Sequence, residues 1–411
     1  MIRRFITVCL LLIAALLPSG LLGGTFEIFG LGRPVQPASA AALGRGGIGL
    51  AYTDSISINF SNPAHLSAVD KSGLELGIRG NYTRNSGDYL VEAREDFDFG
   101  VMKLPVTRKG GMAFGAYPLF KAAADYTMSN SDIHSSIKNY GQLYAMFIGG
   151  AYRPLPFLSV GVSLEAISGK YEFETMIDYS DSTLLDTRLM RSNGFDGRRI
   201  NSGLAFNPLD NVQIGISYSS MIRGSRKEIN SYGSADGSFS FLYTAPDTSD
   251  INGSFIPDII GLGVSIRNSN FGIISVEYQL MKFKDIASDL NFSIFQNGNM
   301  QDLHRLAAGW EKPGKRQLFI PYLQKITWRA GLIFESGFIE SQSKQQHQMA
   351  AFSIGCGLPL SKFQHRVDMA LVGGITKGQL YENLTETEQW IQFKISITAM
   401  ERWFITKGKY R

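Results

Sequence analysis

Apolar and polar residues alternate along most of the chain. In "IQFKISITA" Ile391, Phe393, Ile395, Ile397 and Ala399 are apolar, and Gln392, Lys394, Ser396 and Thr398 between them are polar. Leu74, Leu76, Ile78 and Tyr82 alternate in the same way with Glu75, Arg79 and Asn81, and Val212, Ile214, Ile216 and Tyr218 with Gln213, Gly215, Ser217 and Ser219. Ile260, Leu262, Val264 and Ile266 face Gly261, Gly263, Ser265 and Arg267, and Phe352, Ile354, Cys356 and Leu358 face Ser353 and Gly355. A period of two sorts residues onto the two faces of a strand. Runs of this kind predict about fourteen strands, starting near residues 73, 96, 110, 140, 158, 190, 211, 258, 271, 301, 326, 347, 366 and 388.

Most runs extend over roughly nine to thirteen residues, longer than sandwich strands and long enough for a tilted strand to cross a bilayer. The links alternate too. Short ones, "TRKG" (107–110), "RPLPF" (153–157), "NPLDN" (207–211), "RNSN" (267–270) and "LSKFQHR" (360–366), follow even-numbered strands. Long polar ones, 121–139, 178–189 and 222–257, follow odd-numbered strands. An outer-membrane barrel with both termini in the periplasm has this rhythm of short inner turns and long outer loops. The link at 312–325, with Pro313 and Pro321, is too long for a clean inner turn. Trp390 and the pair Trp403 and Phe404 bracket the last strand at about 33 Å, close to the spacing of two interfacial aromatic girdles. The expected fold is all-β: a closed antiparallel transmembrane barrel over 73–404, with no unpaired edge, followed by a basic tail at 405–411.

Composition agrees. The 411 residues include 44 Gly, 12% are aromatic and 18% charged, and the net charge of +4 is too small and too evenly spread for a nucleic-acid surface. The start, "MIRRFITVCLLLIAALLPSGLLGG", has Arg3 and Arg4, an apolar stretch from Phe5 to Leu17 and small residues from Pro18 to Gly24, which reads as a secretory signal over 1–24. Cys9 would leave with it. Cys356 then remains without a disulfide partner, as a small side chain on an apolar strand phase. No later run is apolar enough for a membrane helix.

Residues 25–72 alternate poorly and are rich in Gly and Ala. Here Asn62 suits a helix N-cap, Pro63 the first helical position, and Ala64 to Val69 a turn or two of helix. A capped stub at the mouth of a barrel too wide for its own side chains to fill reads as a plug. With the signal before it and some fourteen strands after it, "LGRGGIGLAYTDSISINFSNPAHLSAV" resembles the N-terminal hatch of the FadL-type outer-membrane family of long-chain fatty acid and aromatic hydrocarbon channels. Its Asn-Pro-Ala motif corresponds here to Asn62, Pro63 and Ala64, preceded by the run Gly44, Gly46, Gly47 and Gly49. The ending "ISITAMERWF" followed by "ITKGKYR" departs from barrels that close on a terminal aromatic, which indicates a divergent branch. The resemblance implies passive uptake of an apolar molecule at the cell outer membrane of a Gram-negative bacterium, with escape past the hatch or sideways at a kinked third strand. That strand, "GGMAFGAYPLF", contains Pro118, which cannot donate a ladder hydrogen bond and marks either a break or the strand's end. By position in the chain, Phe239, Phe241, Leu242 and Tyr243 would line an outer ligand groove.

Other chemistry recedes. "GRGGIG" (44–49) matches a dinucleotide fingerprint in letters, but no strand precedes it and no βαβ unit surrounds it. His65, His134, His304, His347 and His365 lack metal-ligand spacing. No motif points to an enzyme; a rim hydrolase pair around His304 and a neighbouring serine is the most that linear sequence permits. No cofactor is implied. Glu75, Arg79, Glu165, Arg199, Arg267, Glu277, Arg305 and Arg329 read as inward charges, one of the arginines being suited to a fatty acid carboxylate. Two functions share this fold. One is uptake of hydrophobic cargo by a monomer in outer-membrane lipid. The other is a scaffold, resembling the PorV component of type IX secretion, that docks secreted proteins. Gly, Ala and Ser at many lumen positions leave space and favour uptake.

Overall fold

The computed structural model describes residues 31–52, 54, 56–85, 91–129, 132–181, 184–235, 242–243, 245–286, 299–317, 319–340, 346–360, 365–381 and 384–401. Fourteen long strands form one closed antiparallel barrel. They are β1 (Ser72–Asn85), β2 (Val91–Thr107), β3 (Gly110–Ser129), β4 (Ile133–Leu155), β5 (Leu158–Tyr179), β6 (Asp186–Leu209) and β7 (Val212–Ala235). The second half is β8 (Ile259–Asn268), β9 (Gly272–Met281), β10 (Leu303–Lys312), β11 (Thr327–Glu340), β12 (Gln346–Leu360), β13 (His365–Tyr381) and β14 (Leu384–Glu401). Closure is made by β14 against β1, from Glu388 opposite Asn85 to Glu401 opposite Ser72.

The barrel is inside out by the standards of a soluble protein. Leu164, Ile148, Leu262, Ile274, Phe352 and Ile397 are exposed, and Glu75, Glu165, Glu277, Arg329, Lys394 and Ser396 are buried. The alternation has therefore placed its apolar phase against lipid and its polar phase in the lumen, where a bilayer requires them. Cys356 is half-buried on the lipid phase with Ile354.

Tight turns join β2 to β3, β4 to β5, β6 to β7 and β8 to β9 at the end where β1 begins and β14 stops. In an outer-membrane barrel this is the periplasmic end. The long link from Lys312 to Thr327 also fits there. It folds back through a 3-10 helix at Tyr322–Lys325, with the amide of Lys315 donating to the carbonyl of Gln324 at 2.8 Å.

The outer side differs from expectation. Residues 121–139 and 222–257 are not mainly loop: β3 runs to Ser129, β4 begins at Ile133, β7 runs to Ala235, and Asp247–Asn252 pairs back on Asn230–Ser225. At 24 residues, β6 and β7 span about 60 Å along a tilted axis, more than twice the lipid band. Beyond the lipid a ladder still holds by its backbone bonds, but no bilayer enforces the alternation, so the pattern fades while the strand continues.

Trp390 also departs from the expected girdle. It faces inward and donates from Nε1 to the Thr376 hydroxyl at 3.2 Å. It shares the even phase of Gln392, Lys394 and Ser396, and the small Gly374 beside it leaves room for its ring. Trp403 and Phe404 lie outside the described residues.

Candidate functional site: the N-terminal segment and the lumen

The described residues between 31 and 71 pass through the lumen rather than beside it. A short strand, Arg33–Pro34, pairs with Lys121 and Phe120 of β3, and the short helix α1 (Ala40–Leu43) packs against β12 to β14. Ser39 caps α1, and the hydroxyl of Ser396 accepts from the Ala40 amide at 2.8 Å. The glycine run follows. Gly46 and Gly47 both have positive φ, 76° and 75°, so the consecutive left-handed turn there needs residues without a Cβ. The run thus serves backbone geometry, and its amides and carbonyls meet the wall. The amide of Gly46 donates to Ser353 at 3.0 Å and its carbonyl accepts from Arg305 at 2.8 Å. The carboxylate of Glu277 accepts from three successive amides, those of Gly49, Leu50 and Ala51, at 2.5–3.1 Å.

Asn62 is fully buried and works in both directions. Its Oδ1 accepts from the amide of Ala64 at 3.0 Å, capping the 3-10 helix Pro63–Ala68. Its Nδ2 donates to the carbonyl of Leu50 at 2.8 Å and to that of Leu204 on β6 at 2.9 Å. One side chain therefore ties a helix start, a preceding loop and the barrel wall. Pro63 occupies the first helical position and Ala64 is buried behind it.

The lumen glycines make this packing possible. A Cβ on Gly215 would lie 1.8 Å from the carbonyl oxygen of Leu50, one on Gly203 2.0 Å from Asn62 Oδ1, and one on Gly331 2.1 Å from the amide nitrogen of Gly46. The small lumen residues that read from sequence as free space are filled by the N-terminal backbone.

An ion cluster fixes the periplasmic side. Arg329 on β11 donates from Nε to Glu311 and from Nη1 to Asp368, both at 2.7 Å, and lies 3.6 Å from Asp54. Arg366 donates to Asp368 at 2.6 Å and pairs with Asp54 at 2.6 Å. Glu311 also accepts from Arg45 and from the hydroxyl of Tyr52, each at 2.8 Å. Three arginines balance three carboxylates, and Arg45, Tyr52 and Asp54 belong to the N-terminal segment. Burial opposes the charge on Asp54, yet Arg366, Arg329 and Arg45 hold its carboxyl well below the usual carboxylate range. Burial, helped by Glu311, pushes the Tyr52 hydroxyl well up. Elsewhere Glu75 accepts from the amide of Ile58 at 2.5 Å, Lys103 donates to the carbonyl of Ile56, and Lys394 donates to that of Ala38 at 2.7 Å.

His65 faces inward and donates from Nε2 to the carbonyl of Leu50 at 2.9 Å, which fixes its neutral tautomer. Burial lowers its pKa to about 4. A folded-state pKa below the unfolded value of about 6.5 means that the unfolded chain binds the extra proton between these values. Stability from neutral His65 is therefore complete above about pH 6.5 and is lost as pH falls toward 4, by about 3 kcal/mol in all. Limited proteolysis of the N-terminal segment is expected to speed up between pH 7 and pH 4.5, and His65→Gln to flatten that dependence.

The outer half of the lumen is closed differently. Phe60 meets Phe99 and Tyr117 at 5.0 Å and Phe147 at 6.1 Å, ring centre to ring centre. Phe255 and Ile256, just before β8, and Phe283 and Ile286, just after β9, fold inward and are buried. Tyr117, Glu165 and Arg199 form a bonded triad across β3, β5 and β6 at 2.8–3.3 Å.

Pro118 lies where the β2–β3 ladder has ended. That ladder runs only from Thr107 opposite Gly110 to Gly100 opposite Ala116. Past it the β3–β4 register shifts between Pro118 and Phe120, and residues 117–124 are buried on both phases. The neighbour of β3 there is Arg33–Pro34, not β2. Beside the break lies a cavity of about 140 Å³, lined by Arg33, Arg79, Lys121, Arg305 and Lys394 and by Leu43, Ile333, Met349 and Trp390.

Other expected features are dispersed. Phe239 and Phe241 lie outside the described residues, and Leu242–Tyr243 pairs with Ser234 and Gly233 at the top of β7. His304 is exposed, its ring bonded to the hydroxyl of Tyr278 at 2.7 Å, and Ser336 accepts from its amide rather than its ring. Arg267 sits exposed at the periplasmic mouth rather than in the lumen. Among the described residues no group of histidine, cysteine and carboxylate side chains could hold a metal ion.

A closed fourteen-stranded outer-membrane barrel with a folded segment threaded through its lumen is the architecture of the FadL-type transporters, and the solved structures it resembles show the same fold. A Pseudomonas aeruginosa FadL homologue matches with TM-score 0.64 at 11% identity, over 89% of this chain and 99% of its own. The Pseudomonas putida toluene transporter TodX matches with TM-score 0.62 at 15% identity, over 90% and 99%. The CymD monoaromatic hydrocarbon channel matches with TM-score 0.58 at 14% identity, over 90% and 98%. No curated protein matches in sequence. The BamG family model matches residues 1–411, and the chain belongs to that family, as a divergent form of the FadL type.

Proposed function

We propose that the protein is an outer-membrane channel in which apolar molecules pass sideways through the barrel wall, residues 31–71 acting as the hatch that blocks the axial path. The observation that carries this reading is the early end of the β2–β3 ladder at Gly100 and Ala116, above which β3 pairs with Arg33–Pro34 of the N-terminal segment instead. Lipid cannot satisfy unpaired ladder groups, so such a break is tolerated only where protein or a passage adjoins it. The adjoining cavity has five basic side chains beside an apolar wall and Trp390, and these outnumber the carboxylates of Glu335, Asp98 and Glu388 that pair with four of them. This suits a carboxylate head with an apolar body, such as a long-chain fatty acid, better than a neutral aromatic hydrocarbon. At about 140 Å³ it holds the head-group end of such a molecule.

Uptake of radiolabelled oleate by Gram-negative cells lacking their own FadL-type channels tests the reading. The protein is expected to raise uptake several-fold. Ala123→Trp, which fills the cavity from β3, is expected to return it to background while the barrel keeps its heat-modifiable mobility. Equal uptake by the variant, or none by the parent, would count against it.

A second reading, a scaffold that docks secreted proteins, is supported by the filled outer lumen and by the projecting ladder of β4 to β7, whose strands of 22–24 residues extend far beyond the lipid band. Absence of oleate uptake together with a stoichiometric secreted protein on the isolated barrel would favour it.

A further inference from the structure

At the periplasmic mouth, beneath the N-terminal segment, is a cavity of about 720 Å³, five times the volume of the one beside β3. Its charge is one-sided. Arg267, Lys312, Lys315, Arg316, Lys325 and Arg366 line it, with His365 beside them. Two carboxylates, Asp54 and Glu311, reach the same surface, and both already bind arginines at 2.6–2.8 Å. Three of the six cations come from the long link between β10 and β11, and Lys312 ends β10. The stretch 312–327, "KPGKRQLFIPYLQKIT", has no carboxylate. The same link leaves Phe319 fully exposed and Leu323 71% exposed.

We propose that this mouth is a docking socket for an acidic segment of a periplasmic polypeptide. The cavity is large enough for several side chains, and its cations are arranged around an open concave surface, which focuses an attractive field on an incoming anion. Phe319, exposed on the same link, is an apolar side chain of the kind that anchors protein interfaces. Position argues against lipid. Tyr52, Asp54 and Ile56 of the N-terminal segment form one wall, so the socket faces the barrel axis, whereas phospholipid head groups ring the outer rim. Charge argues against the chain's own C-terminal tail, because "ITKGKYR" contributes Lys407, Lys409 and Arg411 and no acid. Arg366 is also the residue that grips Asp54, so an occupant of the socket touches part of what holds the N-terminal segment in place.

The test uses the full-length protein in nanodiscs of zwitterionic lipid with fluorescein-labelled octaglutamate as probe and octaglutamine as control. Octaglutamate is expected to bind in a salt-sensitive manner and octaglutamine not to bind. Lys315→Glu, Arg316→Glu and Lys325→Glu together are expected to weaken binding roughly tenfold or more, and the three glutamine replacements by less. Heat-modifiable mobility on gels reports whether each variant is assembled. Equal binding by parent and charge-reversed protein overturns the proposal, as does absence of binding. Phosphatidylglycerol nanodiscs that abolish peptide binding would reassign the cations to lipid, and inorganic triphosphate competing as well as octaglutamate would reassign them to a small anion. Either result also overturns it.

Discussion

Replacing Arg329 by Met is expected to destabilise the seating of the N-terminal segment by about 3–5 kcal/mol, among the largest single losses available to this protein. The reason is the balance of charge among buried groups. Arg329 is buried and bridges Glu311, Asp368 and Asp54, leaving Arg45 and Arg366 as the other cations of the cluster. Without it three carboxylates share two guanidinium groups, and Glu311 and Asp368 each lose a bond of 2.7 Å. Breaking one member of a buried network costs far more than the net worth of the intact network, because the remaining charges stay desolvated. A second substitution that removes a carboxylate should therefore restore part of the loss. Asp368→Asn in the same chain removes one of the stranded charges and is expected to recover about half of the loss. Proteolysis at neutral pH, comparing parent, single and double variants, gives the order of stability directly. Equal protection in Arg329→Met and parent would show that the segment is held by its steric fit alone.

The barrel was legible in the sequence because a bilayer enforces the period of two at every crossing. Strand starts at 110 and 158 coincide with expectation, and those at Val212 and Gly272 fall one residue away, since tight turns such as "NPLDN" pin both ends of their hairpins. The outer ends were less legible. β4 begins at Ile133 rather than near 140, and β7 runs to Ala235, because residues such as Ser135, Ser136, Lys227 and Glu228 continue the ladder beyond lipid and no longer alternate. Trp390 was misassigned although its even parity with Lys394 and Ser396 placed it inward. An aromatic near a strand end is a weaker signal than phase.

The lumen was half legible. Glu75, Glu277, Arg305 and Arg329 were expected inside and are buried there. Their partners were not foreseeable, because Asp54, Arg45 and the backbone of Gly49 to Ala51 come from a segment without periodicity, separated from the wall by hundreds of residues. The glycines gave the most misleading signal. A glycine in a lumen phase means close approach of something, and the chain alone does not distinguish a ligand from another part of the same backbone. Gly203, Gly215, Gly309 and Gly331 all approach residues 45–62.

Asn62→Leu probes that fit at its centre. Leucine removes the donors to Leu50 and Leu204 and the acceptor for the Ala64 amide, in a site with no access for water. Stranded buried polar groups cost about 1–3 kcal/mol each, and loss of an N-cap about 1 kcal/mol. Shape adds to this, since Oδ1 already lies 2.0 Å from where a Cβ on Gly203 would stand, and a branched side chain has no more room on that side. The expected total is about 3 kcal/mol or more, enough to displace the 3-10 helix and the loop bonded to it. Asn62→Ser, which keeps a capping oxygen and adds no bulk, is expected to lose about half as much. Uptake of the apolar dye N-phenylnaphthylamine by cells carrying each variant should then rise in the order parent, serine, leucine. If Asn62→Leu assembles with normal heat-modifiable mobility and admits no more dye than the parent, the segment fills the lumen without sealing it, and the permeability barrier must be sought in the inward-folded residues Phe255, Ile256 and Phe283 instead.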